Sequence, residues 1–250
     1  INYMVQIYLS IAVIPGREDK LERCLKTIMN QDIMPTKIFI CICNNYKRFP
    51  NTKYNRELYL NKYLEKTELF ELLESDIDYG PATKLIMPLK KLQNLENKND
   101  VYILTADDDN EYQKYFLNTF FNCARKQLPK LIWTGYAEQR GKPMATAFGA
   151  DGILIPVCEL DNYMKYYDIV TKDNDEWFFH DDFIVSTYFY YKKFEIRKTP
   201  HLSKIVNEPW DEHSLTKRLE LNNDTGRMRQ LSILIGSYNK LLPVFEKENI

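Results

Sequence analysis

Three consecutive carboxylates, Asp107-Asp108-Asp109, close a short apolar run, Val101-Tyr102-Ile103-Leu104. In open α/β sheets ligands bind beyond the carboxyl ends of the strands, so acid at such an end stands where a ligand would be. Adjacent carboxylates repel one another. A divalent cation removes that penalty, and hard oxygen ligands suit Mg2+ or Mn2+. Asp107 and Asp109, at i and i+2, can both face the ion. The plainer reading is a helix N-cap cluster, since carboxylates favour helix N-termini. One aspartate satisfies a cap, and three exceed that need.

Other groups of residues could serve the same edge. In Asp78-Tyr79-Gly80-Pro81-Ala82-Thr83-Lys84, Gly80 permits close backbone approach and Pro81 opens a helix whose free N–H groups attract anions. Lys84, in the first turn, can reach a phosphate as a point charge; the plainer reading is a solvated lysine. Arg17, after Pro15-Gly16, can contact a nucleotide base or phosphate, or lie on a helix surface. In Trp177-Phe178-Phe179-His180-Asp181-Asp182 an aromatic run precedes two carboxylates. Desolvation raises a carboxyl pKa, which suits a general base. Asp182 is the first choice for that base and Asp181 the second, against an ordinary helix cap. Gly149-Ala150-Asp151-Gly152 allows a tight loop beside a ligand, with Asp151 placed to bond sugar hydroxyls, or is a plain turn. His201 or His213 could add a nitrogen ligand to the metal, against a surface histidine in each case.

The elements that must position these residues follow from periodicity. Strands are expected over Val5–Ile14, Lys37–Cys43, Leu69–Leu73, Val101–Thr105, Leu131–Tyr136 and Phe194–Lys198. Helices are expected over Arg17–Asn30, Ala82–Leu92, Glu111–Lys126, Val157–Val170 and Asp182–Lys193. Asn51–Lys66 reads as loop and then helix, Gly141–Pro156 as a loop with short strands, and His213–Phe245 as helix stopped by Pro243. A β-α-β unit at the start implies a parallel sheet, hence α/β class with a nucleotide-type half. One domain is expected over 1–250.

The chain's 250 residues can bury a sizeable core. Net charge is -1 from 34 basic and 35 acidic residues, which argues against a nucleic-acid partner. No stretch approaches the roughly 18 apolar residues of a membrane span. Ile1-Asn2-Tyr3-Met4 shows neither a signal peptide's basic region nor an initiator Met, so a piece of a longer, cytoplasmic protein is expected. The Asn-, Lys-, Ile- and Tyr-rich usage suggests an AT-rich genome, and the host-cell cytoplasm if that genome is viral. The five cysteines, an odd number without a second C-x-C pair, read as reduced core thiols.

In this order, the strand ending near Arg17, the Asp78–Lys84 turn, the strand into Asp107-Asp108-Asp109, the Gly149–Gly152 loop and the later Asp181-Asp182 pair resemble a GT-A-fold glycosyltransferase of the family-2 type, over about residues 5–190. The resemblance implies a Rossmann-type mixed sheet flanked by helices, with a helical C-terminal segment. About 1–130 would bind the nucleotide-sugar donor, and about 131–250 the acceptor: a glycan, a protein or a small molecule. It implies a UDP-sugar with Mn2+ or Mg2+ on its diphosphate. Asp107 and Asp109 look like the DxD carboxylates; the segment after 190 departs from the family pattern, so His201 as a third metal ligand rests on its residue type alone. Arg17, Asp78 (toward uracil), Gly80, Lys84, Asp107 and Asp108 would meet the donor. Gly149, Asp151 and Gly152 would meet the acceptor. Asp182 resembles the base of inverting members, so the implied reaction is metal-dependent transfer of a hexose to a hydroxyl. A nucleotidyltransferase acting on sugar phosphates is the runner-up, although its Gly-rich first loop is represented here by Gly16 alone. A catalytically silent sugar-binding module is the non-enzymatic alternative.

Overall fold

The computed structural model describes residues 5–50, 52, 68–138, 144–172, 175–202 and 245–247. Strands β1 (Gln6–Ala12), β2 (Lys37–Cys43), β3 (Phe70–Ser75), β4 (Val101–Asp107), β8 (Ile153–Pro156), β5 (Leu131–Thr134) and β9 (Glu195–Lys198) form one sheet in the order β3-β2-β1-β4-β8-β5-β9. β6 (Ala137–Glu138) and β7 (Thr146–Ala147) make a separate hairpin. All neighbours in the main sheet pair in parallel except β8, which runs antiparallel to both β4 and β5. The start of β8 therefore lies at the edge where β4 and β5 end. This is the expected α/β mixed sheet.

Alternation along the strands builds a core on each face. Ile7, Leu9 and Ile11 of β1 and Ile38, Ile40 and Ile42 of β2 face helices α1 (Glu18–Met29) and α3 (Phe116–Ala124). Phe39, Cys41 and Ile103 face the other way, onto α2 (Thr83–Leu92), α4 (Tyr163–Thr171) and α6 (Asp181–Tyr191). α1 buries Leu21, Cys24, Leu25 and Ile28, the spacing of one helical face. α6 buries residues all round its axis, because it lies between the sheet side and an aromatic layer in which Tyr163 and Tyr166 meet Tyr188. A short helix, α5 (Asp175–Phe178), precedes it. All five cysteines are unpaired thiols. Among the described residues no helix is long and apolar enough to cross a membrane.

Three expected elements differ. The helix expected from Glu111 begins at Phe116, because Asn110 and Tyr112 turn inward to bond the neighbouring turn. The helix expected over 157–170 is a 3-10 turn, Val157–Glu159, followed by α4. The strand expected to reach Tyr136 stops at Thr134, and a Cβ on Gly135 would lie 2.0 Å from the Asp151 carbonyl oxygen. The stretch expected as loop and helix over 51–66, apart from Thr52, and the C-terminal helix, apart from Phe245, lie outside the described residues.

Candidate active site

Five aspartates gather at the carboxyl edge of the sheet, delivered by β4 and by the start of α6. Asp107 ends β4; its amide donates to Tyr112 Oη at 2.8 Å, and its carbonyl accepts from Cys24 Sγ at 3.4 Å. Asp108 turns inward. It accepts from Ile14 N at 3.2 Å and from Arg17 Nη1 at 2.9 Å. Asp109 turns outward again, 2.8 Å from the same guanidinium nitrogen. The triplet thus alternates: the Asp108 side chain is 3% exposed and that of Asp109 26%. The Asp107 side chain is also partly exposed, at 31%. Burial raises the Asp108 carboxyl to about 7, with Arg17 pulling down and Asp109 pushing up.

Lys84 enters from the first turn of α2. Its ammonium lies 2.8 Å from Asp107 Oδ1 and 3.1 Å from Asp181 Oδ2, in a side chain only 6% exposed. Burial works against its charge, but Asp107, Asp181 and Asp182 together hold it charged well above the usual lysine range. Lys84 therefore joins the end of β4 to the start of α6.

Asp182 is half-buried and accepts from the Gly149 amide at 2.7 Å. Burial raises its carboxyl to about 8; the Asp181 charge adds to this, while Lys84 opposes it. Gly149 is pressed into the group. A Cβ there would meet Lys84 Cε at 2.9 Å and Asp182 Oδ1 at 3.0 Å. Gly149→Ala is expected to push Lys84 off its partners and lose about 1–3 kcal/mol, as overpacking usually does. Chemical denaturation measures this; an unchanged midpoint would mean that the lysine swings aside without cost.

The turn carrying Gly149 is itself tied down. Thr105 Oγ1 donates to its carbonyl at 3.3 Å and accepts from Ile153 N at 3.0 Å. Asn110 Nδ2 and Tyr112 Oη each donate to the Ala150 carbonyl at 3.0 Å. Gly152 takes φ +90 with Phe116 and Phe120 against it, a conformation and a space that suit glycine. Asp151 is buried in this turn.

The residues singled out by sequence are therefore largely together. Arg17, Lys84, Asp107, Asp108, Asp109, Gly149, Asp181 and Asp182 are linked by the contacts above. Asp78 organises the adjoining loop, accepting from Lys47 N at 2.7 Å and Gly80 N at 2.8 Å. Gly80, at φ +57, abuts the Phe178 carbonyl. His201 is exposed and follows β9, three strands along the sheet from β4, and among the described residues it joins no group of three metal-ligating side chains. His213 lies outside the described residues. Sequence reading missed Tyr112, Asn110, Thr105 and Tyr163. The first two flank the acid triplet closely enough to have been suspected; the others become visible only through packing.

Among the described residues no three His, Cys, Asp or Glu side chains form a metal cage. Mg2+-type sites commonly use one or two carboxylates and complete their shell with substrate phosphates and water. Asp107 and Asp109, hard oxygen donors both partly open to solvent, fit that pattern. The buried Asp108 does not.

No family model and no curated protein matches the sequence. Solved structures do match the fold. A mannosyltransferase from Pyrobaculum calidifontis, solved in complex with GDP-Man and Mn2+, is similar over 99% of this chain and 70% of its own, with 12% identity and a TM-score of 0.62. TarS from S. aureus is similar over 77% of this chain, with 12% identity and a TM-score of 0.50; the match spans about a third of TarS, 35%. The mixed seven-stranded sheet flanked by helices is that of the GT-A-type glycosyltransferase fold.

Proposed function

We propose that this chain is a metal-dependent glycosyltransferase that moves a hexose from a nucleotide-sugar, a UDP-sugar, to a hydroxyl of a glycan, protein or small molecule. The observation that carries this reading is Lys84. It pairs with Asp107 at the end of β4 and with Asp181 at the start of α6, next to the raised Asp182 carboxyl. Residues of about 1–130 would take the donor and those of about 131–250 the acceptor. The five unpaired thiols support a reducing, cytoplasmic setting.

Asp107 and Asp109 would hold Mn2+ or Mg2+. The bound ion supplies positive charge against the charge that builds on the diphosphate. Asp182 accepts the proton of the acceptor hydroxyl as its oxygen bonds the anomeric carbon. The bond to the diphosphate breaks with its electron pair on the departing oxygen. Attack from the face opposite the diphosphate inverts the anomeric centre. Lys84 and Arg17 keep the carboxylates spaced while no donor is bound, so little rearrangement is needed when one arrives.

A thermal-shift panel of UDP- and GDP-sugars, with Mn2+ and with chelator, tests this. A ligand at 100 times its Kd adds about 2.7 kcal/mol. A shift from one donor only with Mn2+ is expected, and Asp109→Ala is expected to abolish both that shift and metal-dependent release of UDP. Equal shifts with and without chelator would contradict the metal. Pyrophosphate release would point instead to a nucleotidyltransferase, and binding without turnover to a sugar-binding module.

A further inference from the structure

Beneath the Lys84–Asp181 pair lies a cavity of about 10 Å3, lined by Lys84, Thr105, Tyr163, Asp181 and the apolar side chains of Leu85 and Val185 among others. Its size is about that of one water molecule, and a water needs two to four polar partners to stay. The lining offers four. Tyr163 is fully buried, and among the described residues its Oη has no hydrogen-bond partner. Burial and the neighbouring Asp181 charge raise that phenol far above its usual range, so it keeps its proton and is a donor at any working pH. A buried hydroxyl without a partner is destabilising, a penalty that an ordered water removes.

The other walls fit the same occupant. Lys84 spends its ammonium on Asp107 and Asp181, and a third N–H remains to donate. Thr105 Oγ1 gives its proton to Gly149 and accepts one amide, which leaves one lone pair. Asp181 is a carboxylate with several acceptor positions. One water can accept from Tyr163 and Lys84 and donate to Asp181 and Thr105.

We propose that this cavity holds one ordered water, and that Tyr163 is a positioning residue that fixes the Asp181 carboxylate, and with it Lys84, through that water. The role in turnover rests on the glycosyltransferase reading; the water itself does not. Tyr163 sits at the first position of α4, a helix that also packs on α6 through Tyr166 and Tyr188. The water makes α4 part of the support of the site.

Two measurements separate these layers. A high-resolution crystal structure of the unliganded protein should show density for a single water between Tyr163 Oη and Asp181; a dry cavity overturns the proposal, whatever the chain catalyses. Tyr163→Phe keeps the ring that packs on Tyr188 and removes only the hydroxyl. It is expected to leave that water without its tie to α4 and to lower kcat about tenfold, with KM for the donor unchanged. An unchanged kcat in a folded Tyr163→Phe chain would overturn the positioning role. If the water is present but no transfer is found with any donor, the glycosyltransferase reading fails and the hydration site stands.

Discussion

Asp182→Asn is expected to leave the chain folded and to cut sugar transfer by about 10²–10⁴-fold, the usual range for removing a general base. Asparagine keeps the oxygen that accepts from the Gly149 amide at 2.7 Å, so the turn at 149–152 stays anchored. The change removes only the ability to take a proton. Donor binding, read by thermal shift with Mn2+, should be nearly unchanged, because the loss falls on kcat rather than on KM. The pH profile carries the same assignment. Burial and the Asp181 charge raise the Asp182 carboxyl to about 8, so the wild-type kcat/KM should climb with pH through a limb near 8 rather than near 4. A full-rate Asp182→Asn enzyme would move the base elsewhere, with Asp181→Asn the next variant to measure.

Lys84→Met should have the largest effect on stability. Methionine fills most of the stem's space but leaves Asp107, Asp181 and Asp182 without the cation they share. Removing one member of a buried ion pair costs about 3–5 kcal/mol. The lower end applies, since Asp107 and Asp181 keep a face to water. At about 2–4 °C per kcal/mol for a chain of this size, Tm should fall by about 6–12 °C. The deficit should depend on pH. In the wild type, Lys84 pulls the raised Asp182 carboxyl down; without it, the folded chain holds that proton more tightly still, relative to the unfolded chain. A carboxyl raised in the folded state adds stability below the ordinary aspartate range and loses it as pH rises through its folded value. The gap between variant and wild type should therefore be widest above about pH 8 and narrow toward pH 4. A gap that is constant across this range would mean that packing, not charge, is what the lysine supplies.

Much of this arrangement was legible before any coordinates. The apolar run of β4 leads straight into Asp107-Asp108-Asp109, and strand ends locate ligand edges in α/β sheets, so the acid turn could be placed from sequence. The aromatic run before Asp181-Asp182 and the two glycines of the 149–152 turn singled out those segments by other signals. Side-chain pairing across the sheet was not legible. Lys84 is expected from sequence to reach toward a phosphate and Arg17 toward a base or phosphate; in the structure both ammonium and guanidinium are engaged by aspartates. Nothing in local spacing says that Lys84, on α2, will meet Asp181, almost a hundred positions later. Periodicity also cannot show that β8 inserts between β4 and β5, because a three-residue apolar run bounded by Gly152 and Pro156 fits many sheet positions equally well. His201 was expected at the metal because its residue type suited it, and the position of β9 at the far sheet edge takes it elsewhere.

The reversed direction of β8 has a consequence for how the protein could change. Because that strand is pinned by β4 on one side and β5 on the other, the turn that feeds it stays in register whatever lies between β5 and Gly149. The β6–β7 hairpin is spliced into that interval. β7 itself is held: Thr146 and Ala147 are buried, and the Ala147 amide donates at 3.0 Å to Ser186 Oγ, on the helix that carries Asp181 and Asp182. Revision or grafting is therefore confined to the segment that joins β6 to β7, and under the proposed transferase reading a change of acceptor preference there would leave the donor-side acids undisturbed.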